Sequence, residues 1–357
     1  SAEFQRIPVE NDVEFLFLEG LYYTWKATGD TGWMESLLPA AMRAVEYATT
    51  DPLRWSKKLG LLKRGFTIDT WDYQPSMDEA ITGHTMVVDA NKSRFGAMHG
   101  DNTGMAAGLG YLAEMLVHVG RADEADRYRK LEAQIRQHLD EVAWNGRFYT
   151  HHVPEDPDVE RDFGVDQSTQ VSLSNSYAIN RGAMHEQCVA ILREYQRIAG
   201  EMPDSSPGEW YSIYPPFPRG FERHQPLWGY VNGGVLSLVA GELARGAFEH
   251  GFEAYGADIL RRLLKHGRSH KGEVPAVMKG RMPSVPERSF RPVDLGEQVD
   301  RDLAGRALDA RADAPAGAMD LSGTPVGERE FNGVPLRIAD PAGDGRGGCI
   351  GIARREG

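Results

Sequence analysis

The chain has 357 residues, 41% hydrophobic and 26% charged, enough for one large folded domain or two smaller ones. A formal charge of −12 and the lack of any basic run exclude the counterion-displacing surface that nucleic-acid binding needs. No stretch nears the roughly eighteen apolar residues of a membrane span, and Cys188 and Cys349 are too few for a disulfide framework or a cysteine metal site.

Residues 11–28 are apolar on most faces (Val13, Phe15, Leu16, Leu18, Leu21, Trp25), whereas 33–49 carry a narrower apolar stripe beside polar residues. This predicts a buried helix followed by a half-exposed one. The alternation returns in 102–119, small and apolar through Gly104, Ala106, Ala107 and Gly108, and in 122–142, amphipathic with charges outward. Gly29 and Gly120 supply the helix-ending turns between the partners. A third pair is expected at 172–181 and 184–199, and a fourth at 230–249 and 253–265, turning at Gly251. The pattern predicts an all-α toroid of helical hairpins over 1–269, with about four hairpins visible. Residues 270–357 shift toward Arg, Asp, Gly and Pro and read as a linker and the start of a β-rich segment, with strands at 333–340 and 349–353. Beginning near a helix and ending on strand-like sequence, the chain is expected to be a piece of a longer protein, and its residues mark no compartment.

Within each hairpin the connection is short, but residues 51–100, 143–171 and 200–229 are long and rich in aromatic and polar residues. Up-down geometry places these connections at one end, over the N-termini of the inner helices. Two of them share a vocabulary. Phe66-Thr67-Ile68-Asp69-Thr70-Trp71-Asp72-Tyr73-Gln74 sets two carboxylates beside an indole and a phenol, and Gly208-Glu209-Trp210-Tyr211 sets a glutamate among rings. A carboxyl against aromatic walls stays protonated for leaving-group donation, and rings stack on sugar faces. The same residues also suit core-plugging aromatics with helix-capping carboxylates, and both readings stand at this level.

Trp71-Asp72-Tyr73 resembles the Gly-Trp-Asp-Phe segment that carries the general acid in trehalases and processing α-glucosidases. Glu209-Trp210-Tyr211 resembles their Glu-X-Tyr segment, and Trp228-Gly229-Tyr230-Val231-Asn232-Gly233 is similar to their Trp-Thr-Asn-Gly motif. The order is kept, over roughly residues 11–267, in pattern rather than close identity. Those enzymes are six-hairpin glycosidases with an (α/α)6 toroid. The resemblance implies Asp72 as general acid, Glu209 as general base, and inversion at the anomeric carbon of an oligosaccharide or glycoside. It implies substrate contacts from Asp69, Trp71, Tyr73, Trp210, Tyr211, Trp228 and Asn232. Three features depart from the family: Thr70 replaces its Gly, Asp69 is an extra acid, and Tyr230-Val231 expands the last motif.

In Met98-His99-Gly100-Asp101-Asn102, Asp101 or Asn102 suits a helix N-cap, while His99 and Asp101 suit sugar hydroxyls. Tyr149 and His151, beyond the Asn145-Gly146 turn, suit a pocket wall, and Glu273 is a reserve candidate for the base. Arg147, Arg219 and Arg223 leave room for a uronic acid. The eleven His residues include no His-Glu-X-X-His and no His paired with Cys at zinc spacing, and the Gly residues near 233 lack the Lys-Ser/Thr end of a phosphate loop, so neither metal nor cofactor is expected. Two other classes remain: a sugar epimerase or polysaccharide lyase on the same toroid, using His99, His151 or Tyr211, and a non-catalytic carbohydrate-binding toroid.

Overall fold

The computed structural model describes residues 11–68, 81–82, 87–88, 93–221, 227–281, 327–331 and 334–338. The chain divides into a unit spanning Ser1–Arg288 and a second spanning Ser289–Gly357.

The first unit is built of four helical hairpins among the described residues. α1 (Val13–Thr28) turns into α2 (Thr31–Thr50), α3 (His99–His118) into α4 (Ala122–Ala143), α5 (Ser174–Ile179) into α6 (His185–Glu201), and α7 (Ser237–Glu249) into α8 (Glu253–Ser269). α1, α3, α5 and α7 pack on one another in succession as an inner row, and each outer helix packs on its own inner partner. This is the succession of inner and outer helices expected from the alternating hydrophobic pattern.

Small residues on the inner helices set the spacing. A Cβ added at Gly104 of α3 would stand 2.5 Å from the Phe15 ring of α1, and one at Gly108 would stand 2.9 Å from Leu18. The same substitution at Gly100 would overlap Ser174 of α5, and at Gly246 of α7 it would overlap Ile179 of α5. Each inner crossing therefore uses a glycine to bring backbone against side chain, and filling it would overpack a close-packed interior.

Short ladders tie successive hairpins together at one end. β1 (Trp55–Ser56) pairs with β2 (Leu61–Leu62) within the first long connection, where β3 (Ile81–Thr82) also pairs with β4 (Val87–Val88). β5 (Gly96–Met98) runs straight into α3 and pairs with β6 (His152–Pro154) from the next long connection. β7 (Val171–Ser172), just before α5, pairs with β8 (Ile213–Tyr214). β9 (Val235–Leu236), just before α7, pairs with β10 (Val277–Met278), which follows α8. Each of these last three inner helices thus starts from a strand held by the following loop, which fixes the rim.

Three boundaries differ from expectation for local reasons. α3 starts at His99 rather than 102, with Met98 as its cap residue and no side-chain cap. Asn102 is not a cap. Its Oδ1 accepts from the Leu62 N–H at 2.8 Å and its Nδ2 donates to the Leu62 and Met98 carbonyls, stitching β2 to the helix. α7 starts at Ser237 rather than 230, because residues 228–234 form turns with positive φ at Trp228 (65°), Tyr230 (32°) and Gly233 (88°), outside helical geometry. α5 spans only six residues.

In the second unit β11 (Gly327–Phe331) pairs antiparallel with β12 (Val334–Ile338). The strand expected at 333–340 is β12, while β11 falls where the composition gives no strand signal. The strand expected at 349–353 lies outside the described residues.

Candidate functional site

Asp69, Trp71, Asp72, Tyr73 and Arg223 lie outside the described residues, but the chain entering their loop is well placed. Phe66, Thr67 and Ile68 are buried, and Phe66 joins Phe163, Phe217 and Phe221 in a compact aromatic cluster apart from the main core. The Thr67 carbonyl accepts a hydrogen bond from His151 Nε2 at 2.8 Å. That bond puts the proton of a neutral His151 on Nε2 and leaves Nδ1 a bare lone pair.

Around it the rim gathers buried polar groups from two long connections and from the starts of α3 and α5. His99, in the first turn of α3, meets Ser172 Oγ through Nε2 at 2.8 Å and stacks on Tyr149, ring centroids 5.5 Å apart. Asn175 brackets Tyr149, accepting from its N–H at 2.9 Å and donating to its carbonyl at 3.0 Å. Asp101 Oδ1 lies 3.6 Å from Arg64 Nη1, and Arg64 is fixed by paired backbone bonds to Gly96. His99 Nδ1, Asp101 Oδ2 and His151 Nδ1 are buried with no hydrogen-bond partner among the described residues. A buried polar atom without a partner costs about 1–3 kcal/mol, and these three belong to one neighbourhood of the rim.

Burial governs protonation here. Desolvation, reinforced by His151 and Arg181, pushes His99 far below the ordinary histidine range. Desolvation also lowers His151 to about 4, opposed by its bond to Thr67, and His152 is lowered for the same reason with Arg161 adding to it. Desolvation raises Asp101, against the pull of Arg64. The three imidazoles are therefore neutral at pH 7, able to accept or donate a single proton.

These depressed values make a stability prediction. A histidine lowered in the folded state contributes stability that is present above its unfolded value near 6.5 and lost as pH falls through the folded one. Asp101 has the opposite sign, its contribution being lost as pH rises. Melting temperature should thus fall from pH 6.5 toward 4, with His151 alone accounting for about 3 kcal/mol of that loss. Calorimetry of His151→Asn should show a flatter acid limb than the parent chain.

The second loop is arranged differently. Glu209 is fully buried, and its carboxylate accepts from Tyr255 Oη at 2.6 Å and from Arg262 Nη1 and Nη2 at 2.6 and 2.9 Å. Arg262 lies over the Trp210 ring at 4.8 Å, and burial beside Glu209 drives the Tyr255 phenol well above its ordinary value. Both partners are on α8. A general base needs a lone pair facing water, and both oxygens of Glu209 accept bonds from α8, which tie the loop to the outer helix.

The remaining expected contacts are also engaged within the fold. Tyr211 Oη donates to Ser206 Oγ at 2.7 Å, and its ring stacks on Tyr214. Asn232 accepts from the Phe217 N–H at 2.8 Å and donates to the Phe217 carbonyl at 3.0 Å. Trp210 is fully buried, and Trp228 packs on Tyr211 and Tyr214. Arg147 pairs with Glu194 and Arg219 with Asp162, while Glu273 is exposed. The structure brings His99, Asp101 and His151 together and sets Glu209, Trp210, Tyr211 and Asn232 into structural bonds. Arg64, Thr67, Ser172 and Asn175 carried no motif, because their roles depend on backbone pairings formed between distant loops.

No protein-family model matches the sequence, and no curated protein does. Among solved structures the chain is similar to the GH63 mannosylglycerate hydrolase from Thermus thermophilus in complex with Tris. The TM-score is 0.49, with 13% identity over 74% of this chain and 71% of that one. For the same hydrolase in complex with glucose the TM-score is 0.47, with 13% identity over 74% and 70%. An uncharacterized conserved protein from Thermus thermophilus gives 0.47, with 14% identity over 74% and 72%. No described helix is long and apolar enough to cross a membrane.

Proposed function

We propose that this chain is the catalytic body of a glycoside hydrolase that binds a sugar at the rim, over the N-termini of α3 and α5, with Asp72 as general acid. One observation carries the reading: His99 Nδ1, Asp101 Oδ2 and His151 Nδ1 are buried without partners among the described residues, on a helical-hairpin frame, beside the chain that leads toward Asp72. Sugar hydroxyls donate and accept at once, which is what two neutral imidazoles and a carboxylate can satisfy. The chain order of the acid segment, the Glu209 segment and the Trp-Asn-Gly segment supports the same reading.

In this proposal Glu209 positions its loop through Arg262 and Tyr255. The second carboxyl is Asp101, a described rim carboxylate with an unengaged oxygen and a proton affinity raised by burial. Screening the protein against aryl glycosides and natural oligosaccharides tests the class, and absence of any released sugar across such a panel counts against it.

A second reading is supported by the convergence of two neutral imidazoles, His99 and His151, on the same rim. Proton transfer beside a carbonyl or uronate, as in an epimerase or lyase, uses such bases without water. It is recognised by isomerised or unsaturated product with no glycosidic cleavage by water.

A further inference from the structure

Away from the rim, two histidines from different hairpins meet. His185 opens α6 and His250 follows the last residue of α7, and their Nδ1 atoms are 2.9 Å apart, with ring centroids at 5.1 Å and planes inclined by 31°. His185 is exposed and His250 half-buried, so the pair is open to solvent. Among the described residues neither Nδ1 has a carboxylate or a backbone carbonyl as its partner; each faces the other imidazole.

We infer that His185 and His250 form a two-histidine site for a divalent late transition-metal ion, copper(II) or nickel(II) in preference to zinc(II). Metal–imidazole bonds are about 2.0–2.1 Å, so two ligand nitrogens 2.9 Å apart subtend about 90° at the ion. That is the cis angle of tetragonal copper(II) or nickel(II) and is tighter than the tetrahedral angle of zinc(II). The present arrangement, nitrogen facing nitrogen, shares one proton between two lone pairs. Side-chain rotations about Cα–Cβ and Cβ–Cγ that hold the two nitrogens near this separation aim both lone pairs at one ion instead. Among the described residues no third His, Cys, Asp or Glu completes a cluster, so water fills the remaining positions. Glu186, adjacent in sequence to His185, adds negative potential that favours a dication, while Glu249 beside His250 is paired with Arg245. The ion would bridge the start of α6 and the end of α7, two elements that otherwise meet through side-chain packing.

The test is calorimetric titration of the purified full chain with nickel(II) or copper(II) chloride, alongside electron paramagnetic resonance of the first copper equivalent. The first equivalent should bind at least tenfold more weakly in His185→Ala and in His250→Ala, and unchanged in His138→Ala. The copper spectrum of the parent chain should show two equatorial nitrogens, and nickel should raise its melting temperature but not that of either variant. Unchanged binding in both variants, or a parent spectrum with one nitrogen or none, overturns the site. Where an alanine variant fails to fold, His185→Gln or His250→Gln replaces it, with the same tenfold loss expected and unchanged binding overturning the site.

Discussion

Asp72→Asn is expected to lower glycoside turnover by about 10²–10⁴-fold, the range that removal of a general acid produces, while the helical circular dichroism stays unchanged. An amide keeps the shape and removes the proton that the leaving oxygen needs. Asp101→Asn should cost turnover comparably, yet it removes a buried carboxylate whose ionised form is disfavoured by its surroundings, so the variant should melt no lower than the parent at pH 7. Loss of activity with retained or increased stability is the signature of a residue kept for chemistry. An Asp72→Asn protein that still turns over the substrate would move the acid to Asp69.

Glu209→Gln has the opposite expected signature. The carboxylate is fully buried and Arg262 is about a quarter exposed, so replacing Glu209 leaves a partly desolvated guanidinium and the Tyr255 hydroxyl with a weaker acceptor. Removing one partner of a buried pair costs about 3–5 kcal/mol, and the exposure of Arg262 reduces this to about 2–4 kcal/mol. Denaturant titration should show that loss in Glu209→Gln and again in Arg262→Met, with the double variant losing less than the sum because the two changes remove one interaction. A general base would behave otherwise, since Glu209→Gln would then abolish turnover at unchanged stability and Arg262→Met would not reproduce it.

The two predictions divide along the line between what spacing reveals and what it conceals. The hairpins were legible because burial on all faces distinguishes inner helices, as in Gly104 to Leu109 of α3, from the outward charges of α4. The rim was legible as a place, since long connections between an outer helix and the next inner one must share an end. His99 and Asp101 are expected at the opening of an inner helix, and both stand in the first turn of α3. The ladders that precede α3, α5 and α7 were not, because strands of two or three residues carry no periodic signal and depend on partners from other loops.

The partners of Glu209 were concealed for a related reason. In sequence a glutamate among aromatic residues looks the same whether it faces a sugar or an arginine, and the deciding partner, Arg262, lies 53 positions away on α8. The same holds for Asn232, whose motif suggested a ligand contact and whose side chain closes a bond pair with Phe217. His151 gained its place only through the Thr67 carbonyl, a backbone atom that no pattern of side chains can announce.

The most direct measurement of the central claim is the proton NMR spectrum of the anomeric region in the first minutes after mixing the protein with the glycoside it cleaves. Cleavage by water between an acid and a base predicts that the new reducing sugar appears first as the anomer opposite to that of the substrate, and that Asp72→Asn abolishes the signal. A first product of unchanged configuration, or a sugar isomerised without any new reducing end, would contradict it.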